Sequence, residues 1–182
     1  VLSSLALVVL APFLFPVVII LRFTGEGEVF YIQERAGRGG DSFGLYKFAT
    51  MLKNSPNIGA GEITVRGDPR VLPFGQFLRK TKLNELPQLW NIFKGEMSFV
   101  GPRPCPPIQS ELIQCRQSLN VHRFLPGITG LAQVRGIDMS NPLLLAKTEQ
   151  KMISEFNVIN YFYFIFITLI GRGFGDRVKK KM

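Results

Sequence analysis

The sequence predicts a mostly α-helical protein with one small β-hairpin, seated at a membrane surface. Three observations carry that prediction. Residues 1–21, VLSSLALVVLAPFLFPVVIIL, contain no charge at all. Apolar residues recur at helical spacing in two later segments, and a cap followed by proline opens a third helix. Two short runs of strand-forming residues flank the turn Gly37-Arg38-Gly39-Gly40, as a hairpin requires.

The opening segment is long enough to reach across a bilayer, since ~20 residues match a ~30 Å hydrocarbon core. Pro12 and Pro16 interrupt it. Each removes a backbone donor and bends a helix. A cleavable signal peptide fits poorly, because both prolines fall in what would be its apolar core and Thr24-Gly25-Glu26-Gly27 is a poor cleavage site. Two readings stand. One is a straight transmembrane anchor with a kink. The other is a re-entrant helix that bends at Ala11-Pro12 and returns to the side it entered, with Ser3, Ser4 or neighbouring protein satisfying the freed carbonyls.

The elements follow in order. Val29 to Gln33 reads as a strand and Phe43 to Phe48 as its return. Asn54 to Gly61 is a loop, and Asp68-Pro69 with Leu72-Pro73 punctuates another. Leu83, Leu86, Leu89, Trp90 and Phe93 predict one helix that Gly95 ends. Ile108, Leu112, Cys115 and Leu119 predict a second. Asn141-Pro142, a cap followed by an N1 proline, opens a third running to about Phe156. Tyr161 to Ile170 is apolar, aromatic and too short to span. It predicts an interfacial helix with Lys179-Lys180-Lys181 beyond it on anionic lipid, the alternative being a buried core helix.

Composition narrows the partners. Behind the apolar segment ~160 residues remain, enough for one domain with its own core. A net charge of +9 suits anionic headgroups, phosphorylated substrates or nucleic acid. No stacking or groove-binding motif supports nucleic acid. Cys105 and Cys115 have no CxxC spacing, so neither a disulfide scaffold nor a zinc site is indicated. The lone His122 argues against histidine-based metal or triad chemistry.

Chemistry concentrates in the middle of the chain. Residues 77–91, FLRKTKLNELPQLWN, place Arg79, Lys80 and Lys82 just ahead of an expected helix start. Cations beside free N–H groups are what phosphate recognition needs, and Glu85 in the first turn can hold a divalent cation. An ordinary helix start explains the same residues, with Asn84 as cap and Pro87 in the first turn. Next come Gly101-Pro102-Arg103-Pro104, a rigid turn projecting one arginine, and Pro126-Gly127-Ile128-Thr129-Gly130-Leu131-Ala132-Gln133.

The ordered set QER, YKF, FLRKT, NELPQLWN, KGEMSFVGPRP, PGITGLAQ and a C-terminal aromatic helix resembles the bacterial sugar transferase family. These are the monotopic polyprenyl-phosphate phosphoglycosyl transferases that initiate capsule, O-antigen and exopolysaccharide assembly. The resemblance implies a re-entrant helix over 1–22 bent at Pro12, a cytosolic catalytic domain over 23–175 and a basic tail over 176–182. It implies interfacial amphipathic helices and a bacterial inner-membrane location with the site facing the cytosol. It also implies magnesium, a nucleotide-diphosphate sugar such as a UDP-sugar as donor, and undecaprenyl phosphate as acceptor. The oligomeric state stays open.

Residue by residue, the family's catalytic Asp-Glu pair falls on Asn84-Glu85, with Glu85 as the metal-associated glutamate and Arg79 as the arginine ahead of the pair. Lys47 and Arg103 match positions near the donor phosphates, and Gln133 and Arg135 join the substrate-binding set. Three departures stand out. Asn84 replaces the nucleophilic aspartate, Ala49 replaces an arginine, and Val134-Arg135-Gly136-Ile137 replaces the usual Asn-Gly-Arg. In the family the aspartate attacks the donor β-phosphate and the lipid phosphate resolves the covalent intermediate. A neutral amide is a poor nucleophile. Direct transfer in a ternary complex, a substitute nucleophile at Glu85 or Asp138, an engineered inactive variant, and a binding or scaffold role without activity all fit Asn84. The three departures form a coherent set, which favours a natural active branch.

Overall fold

A computed structural model describes residues 2–24, 26–58 and 67–170. Val1, the last residues of the Asn54 to Gly61 loop, the end of the expected 23–175 domain and the basic tail with Lys179-Lys180-Lys181 lie outside the described residues. The chain divides into two compact units: described residues 2–32 and 46–90 form the first, 33–45 and 91–170 the second.

In the first unit α1 spans Leu2–Phe23 and stays one helix through Pro12 and Pro16. Among the described residues it is the helix long and apolar enough to cross a membrane by length and composition. Its two ends differ in what they touch. Val17 and Leu21 pack with Phe48 and Leu78 into a core that Val29, Phe74 and Leu83 complete. Leu5, Val8, Phe13 and Phe15 stay exposed, Phe13 by 71%. Apolar side chains left out in a row mark a surface that something other than water covers, consistent with a membrane-bound protein.

Strands β1 (Phe30–Ala36) and β2 (Ser42–Phe48) form the expected antiparallel hairpin, each somewhat longer than its apolar run. The turn between them closes with the Gly37 N–H donating to the Asp41 carbonyl at 2.7 Å. Helix α2 (Pro73–Lys80) follows. A side chain at Gly75 would collide with the Thr50 main chain, so glycine there lets the helix lie directly on that segment.

The helix expected over Leu83 to Phe93 is broken. Lys82 adopts a left-handed conformation at φ 62°, Leu83–Glu85 make one 3₁₀ turn, and α3 is only Gln88–Phe93. Pro87 explains the break, since proline opens a helix readily but cannot continue one. Arg79 and Lys80 therefore close α2 instead of preceding a helix start, and Asn84 is not a cap. Gly95 does end α3, at φ 80°.

The second unit holds β3 (Ser98–Val100), α4 (Ser110–Ser118), β4 (Gly127–Thr129), α5 (Leu131–Val134), α6 (Pro142–Ser154) and α7 (Val158–Leu169). β3 and β4 pair in parallel, Ser98 with Gly127 and Val100 with Thr129, a pairing that sequence periodicity did not announce. α4 begins later than its pattern suggests, leaving Ile108 outside it and 86% exposed. α6 starts as expected: the Asn141 side chain accepts from the Leu144 N–H at 3.0 Å. One core gathers Cys105, Leu112, Ala132 and Leu145; another gathers Val100, Met152 and Phe164. α7 buries only Phe164 and Ile167 and exposes Ile159, Phe162, Tyr163, Phe166 and Leu169. Most of its large apolar side chains therefore lie outside the core of this unit.

Candidate active site

The residues singled out from sequence divide between the two units. Lys47, Arg79, Asn84 and Glu85 belong to the first; Arg103, Gln133, Arg135 and Asp138 belong to the second.

In the first unit the left-handed Lys82 starts a tight turn, and its carbonyl accepts from the Glu85 N–H at 3.0 Å. That closure brings the Lys82 ammonium to 3.8 Å from the Glu85 carboxylate, with both side chains about four-fifths buried. Asn84 lies between them on the same turn, and its buried Oδ1 has no hydrogen-bond partner. A buried amide oxygen without a donor is costly, about 1–3 kcal/mol. Arg79, on the last turn of α2, reaches the Thr50 hydroxyl at 3.5 Å. Lys47 is half-buried on β2. Nearby in sequence, the buried Arg70 forks onto Asp68 at 2.6 and 2.8 Å and donates to the carbonyls of Ser55 and Ile58 at 2.7 and 2.6 Å. This ties residues 55–58 to residues 68–70.

Among the described residues, no three His, Cys, Asp or Glu gather as a metal cage. Magnesium seldom needs one. It is usually held by one or two carboxylates together with substrate phosphates and water. Glu85 beside the unpartnered Asn84 Oδ1 is a donor set of that size and hardness, so the residues fit the ion.

In the second unit the main chain around Arg103 is held from several directions. The Gly101 N–H donates to the Thr129 carbonyl at 2.9 Å, and the Gly127 N–H to the Pro102 carbonyl at 2.8 Å. A side chain on Gly127 would strike the Gly101 main chain, so this approach requires glycine. The Gln133 amide donates to the Gly101 carbonyl at 3.3 Å, while its Oε1 stays buried without a partner. Glu149 Oε1 accepts from the Arg103 N–H at 3.2 Å, and Arg116 Nη2 donates to the Arg103 carbonyl at 2.8 Å. Arg116 also forks onto both Glu149 oxygens at 2.6 and 2.8 Å. Burial pushes the Glu149 carboxyl above the ordinary carboxylate range, opposed by the hydrogen bonds and charge of Arg116 and by the Arg103 N–H.

Arg103 is half-buried and Arg135 exposed; neither guanidinium forms an ion pair or side-chain hydrogen bond with any described residue. Asp138 accepts from the Ser140 N–H and hydroxyl.

Sequence reading passed over Glu149 and Arg116. One signal was available: Leu145, Glu149 and Met152 lie on one helical face, so a carboxylate interrupts an otherwise apolar stripe.

A family model described as "Bacterial sugar transferase" matches residues 1–171. The chain is 40% identical over 144 residues to the exopolysaccharide production protein PSS of Rhizobium leguminosarum bv. phaseoli, covering 74% of this chain and 70% of that protein. It is 38% identical over 139 residues to the undecaprenyl-phosphate glucose phosphotransferase of Komagataeibacter xylinus, covering 74% and 26%. It is 34% identical over 155 residues to the UDP-glucose:undecaprenyl-phosphate glucose-1-phosphate transferase of Xanthomonas campestris pv. campestris, covering 84% and 32%. The chain thus spans a third or less of those two longer relatives. It belongs to the bacterial sugar transferase family.

Proposed function

We propose that this chain transfers a sugar-1-phosphate from a nucleotide-diphosphate sugar to undecaprenyl phosphate at the cytosolic face of a bacterial inner membrane. The products are undecaprenyl-diphosphate-sugar and a nucleoside monophosphate, the first lipid-linked step toward an exopolysaccharide, capsule or O-antigen. The observation that carries this reading is the half-buried turn holding Glu85 and the unpartnered Asn84 oxygen. Family membership and the names of the relatives support the substrate classes.

Asn84 has no carboxylate with which to form a phosphosugar ester. The reading therefore takes transfer to be direct. An oxygen of the lipid phosphate forms a bond to the donor β-phosphorus as the bond to the bridging oxygen breaks, and the nucleoside monophosphate departs with that electron pair. Glu85 and Asn84 Oδ1 would hold magnesium together with the donor phosphates. Bound there, the ion would neutralise charge that builds on the bridging oxygen. Lys47, Arg103 and Arg135 bind phosphate oxygens as cations, and Gln133 steadies the turn below Arg103. On this reading α1 is a re-entrant helix bent at Pro12 in the bilayer, which keeps both of its ends on the cytosolic side, and α7 lies in the headgroup layer.

The test is a radiolabelled UDP-sugar incubated with undecaprenyl phosphate and magnesium, using the native chain beside Asn84→Asp. Label in the lipid fraction for the native chain supports transfer, and its appearance without any labelled protein intermediate supports the direct route. Donor binding without lipid label, restored to turnover by Asn84→Asp, supports a binding or scaffold protein instead. Topology is read with a cysteine placed at residue 1 after removal of Cys105 and Cys115. Labelling by an impermeant reagent outside spheroplasts contradicts a re-entrant α1.

A further inference from the structure

We propose that the buried Arg116–Glu149 pair is a positioning device for transfer, fixing the main chain of Arg103 so that its guanidinium is presented in one place to the donor diphosphate. This rests on the reading of Arg103 as a ligand of the donor phosphates.

The geometry is specific to one residue. Glu149 takes the Arg103 N–H and Arg116 takes the Arg103 carbonyl, while the two side chains fork onto each other. Holding both polar groups of a single residue fixes its backbone torsions. Pro102 and Pro104 restrict the neighbours further, and a residue before proline is confined to extended conformations. The β4 segment and Gln133 hold the preceding glycine. The guanidinium itself forms no ion pair or side-chain hydrogen bond among the described residues. All the constraint falls on the main chain of Arg103.

Stability gives little reason for the pair. Glu149 is 0% and Arg116 7% exposed, beside an apolar core of Cys105, Leu112, Ala132 and Leu145. Replacing a buried ion pair with apolar residues of similar volume is often neutral or stabilising. An ion pair in such a place is better explained by what its hydrogen bonds hold. A misplacement of ~1 Å at a substrate-binding group costs about 100-fold in rate, which is the scale expected here.

The full chain in lipid nanodiscs is tested with UDP-glucose and magnesium. Compared are the native protein, Arg103→Ala, the apolar replacement Glu149→Leu with Arg116→Met, and the triple variant. Amide hydrogen exchange at Gly101 and Arg103 and the melting temperature are measured alongside donor affinity and turnover. The apolar pair should keep the melting temperature within a few degrees, speed exchange at the Arg103 N–H, and lower kcat/KM by about 100-fold, as Arg103→Ala does. The triple variant should lose no more than either parent. If the apolar pair does not fold, Arg116→Lys serves. It keeps the charge but cannot span the Arg103 carbonyl and both carboxylate oxygens, and should show the same exchange and rate changes.

Unchanged exchange overturns the clamp. Fast exchange with native kinetics, or losses that add in the triple variant, overturns its part in transfer. Native kinetics in Arg103→Ala, with exchange still raised in the apolar pair, overturns the reading of Arg103 as a phosphate ligand and with it the positioning role.

Discussion

The two units place their candidate residues in different charge settings. In the first, Lys82 pairs with Glu85, Arg70 with Asp68, and the exposed Lys53 with Glu28 at 2.7 Å. In the second, Arg116 pairs with Glu149, Lys94 with Glu96 and Lys151 with Glu155, while Arg103 and Arg135 keep guanidinium groups that no described residue pairs. On the proposed reading the first unit supplies carboxylate and amide oxygen for a cation, and the second supplies Arg103 for an anion, on a backbone held by glycine contacts and a buried ion pair.

The sharpest way to break this contrast is Glu85→Gln, which keeps the shape of the turn and removes its charge. Magnesium-dependent transfer should fall by at least about 1,000-fold, while membrane association persists. Wild-type rates in the lipid-label assay would refute the metal role. Gly127→Ala attacks the rigid side, because its methyl group meets the Gly101 main chain. It should destabilise by about 3 kcal/mol or more, measured by thermal or urea unfolding. A loss under about 1 kcal/mol would show that the turn is less constrained than its contacts indicate.

Lys82→Gly tests the turn that carries Glu85. It relieves a left-handed residue worth roughly 1–2 kcal/mol of strain and removes the ammonium beside Glu85. The unfolding midpoint should rise slightly, by an amount worth about 0.5–1 kcal/mol, while the magnesium concentration needed for half-maximal rate changes. A fall in stability instead would assign the Lys82–Glu85 contact a larger energetic share than the backbone. Smallest is a chemical contrast within the second unit. Cys105 is fully buried and burial raises its thiol pKa, whereas Cys115 is partly exposed. The thiolate is the reactive form, so at pH 8 iodoacetamide should modify Cys115 well before Cys105. Equal rates would mean that the second unit opens readily.

What the sequence revealed was local. The hairpin, the Asn141-Pro142 helix start and the outward aromatic helix each rest on residues a few positions apart. The β3–β4 pair was invisible because three-residue strands have no periodicity and their partners lie far apart in the chain. The break at Pro87 is hidden in the sequence because the apolar spacing continues on both sides of it, and spacing says nothing about a left-handed Lys82. The candidate residues Asn84, Glu85 and Arg103 could be named from motif order. The Arg116–Glu149 pair could not: the apolar stripe of α6 marks Glu149 as inward-facing, but nothing local names Arg116, on another helix, as its partner.

The parallel pairing of β3 with β4 also carries a kinetic consequence. Ser98 and Gly127 meet only after the whole intervening chain, including α4, has been gathered between them. Closing a loop of a few tens of residues costs roughly 3 kcal/mol of chain entropy, against two strands of three residues each. The hairpin and α6 are stabilised by near neighbours and should order early. The segment presenting Arg103 should order last, so refolding followed by pulsed hydrogen exchange should show Gly101 and Gly127 amides protected after those of α6.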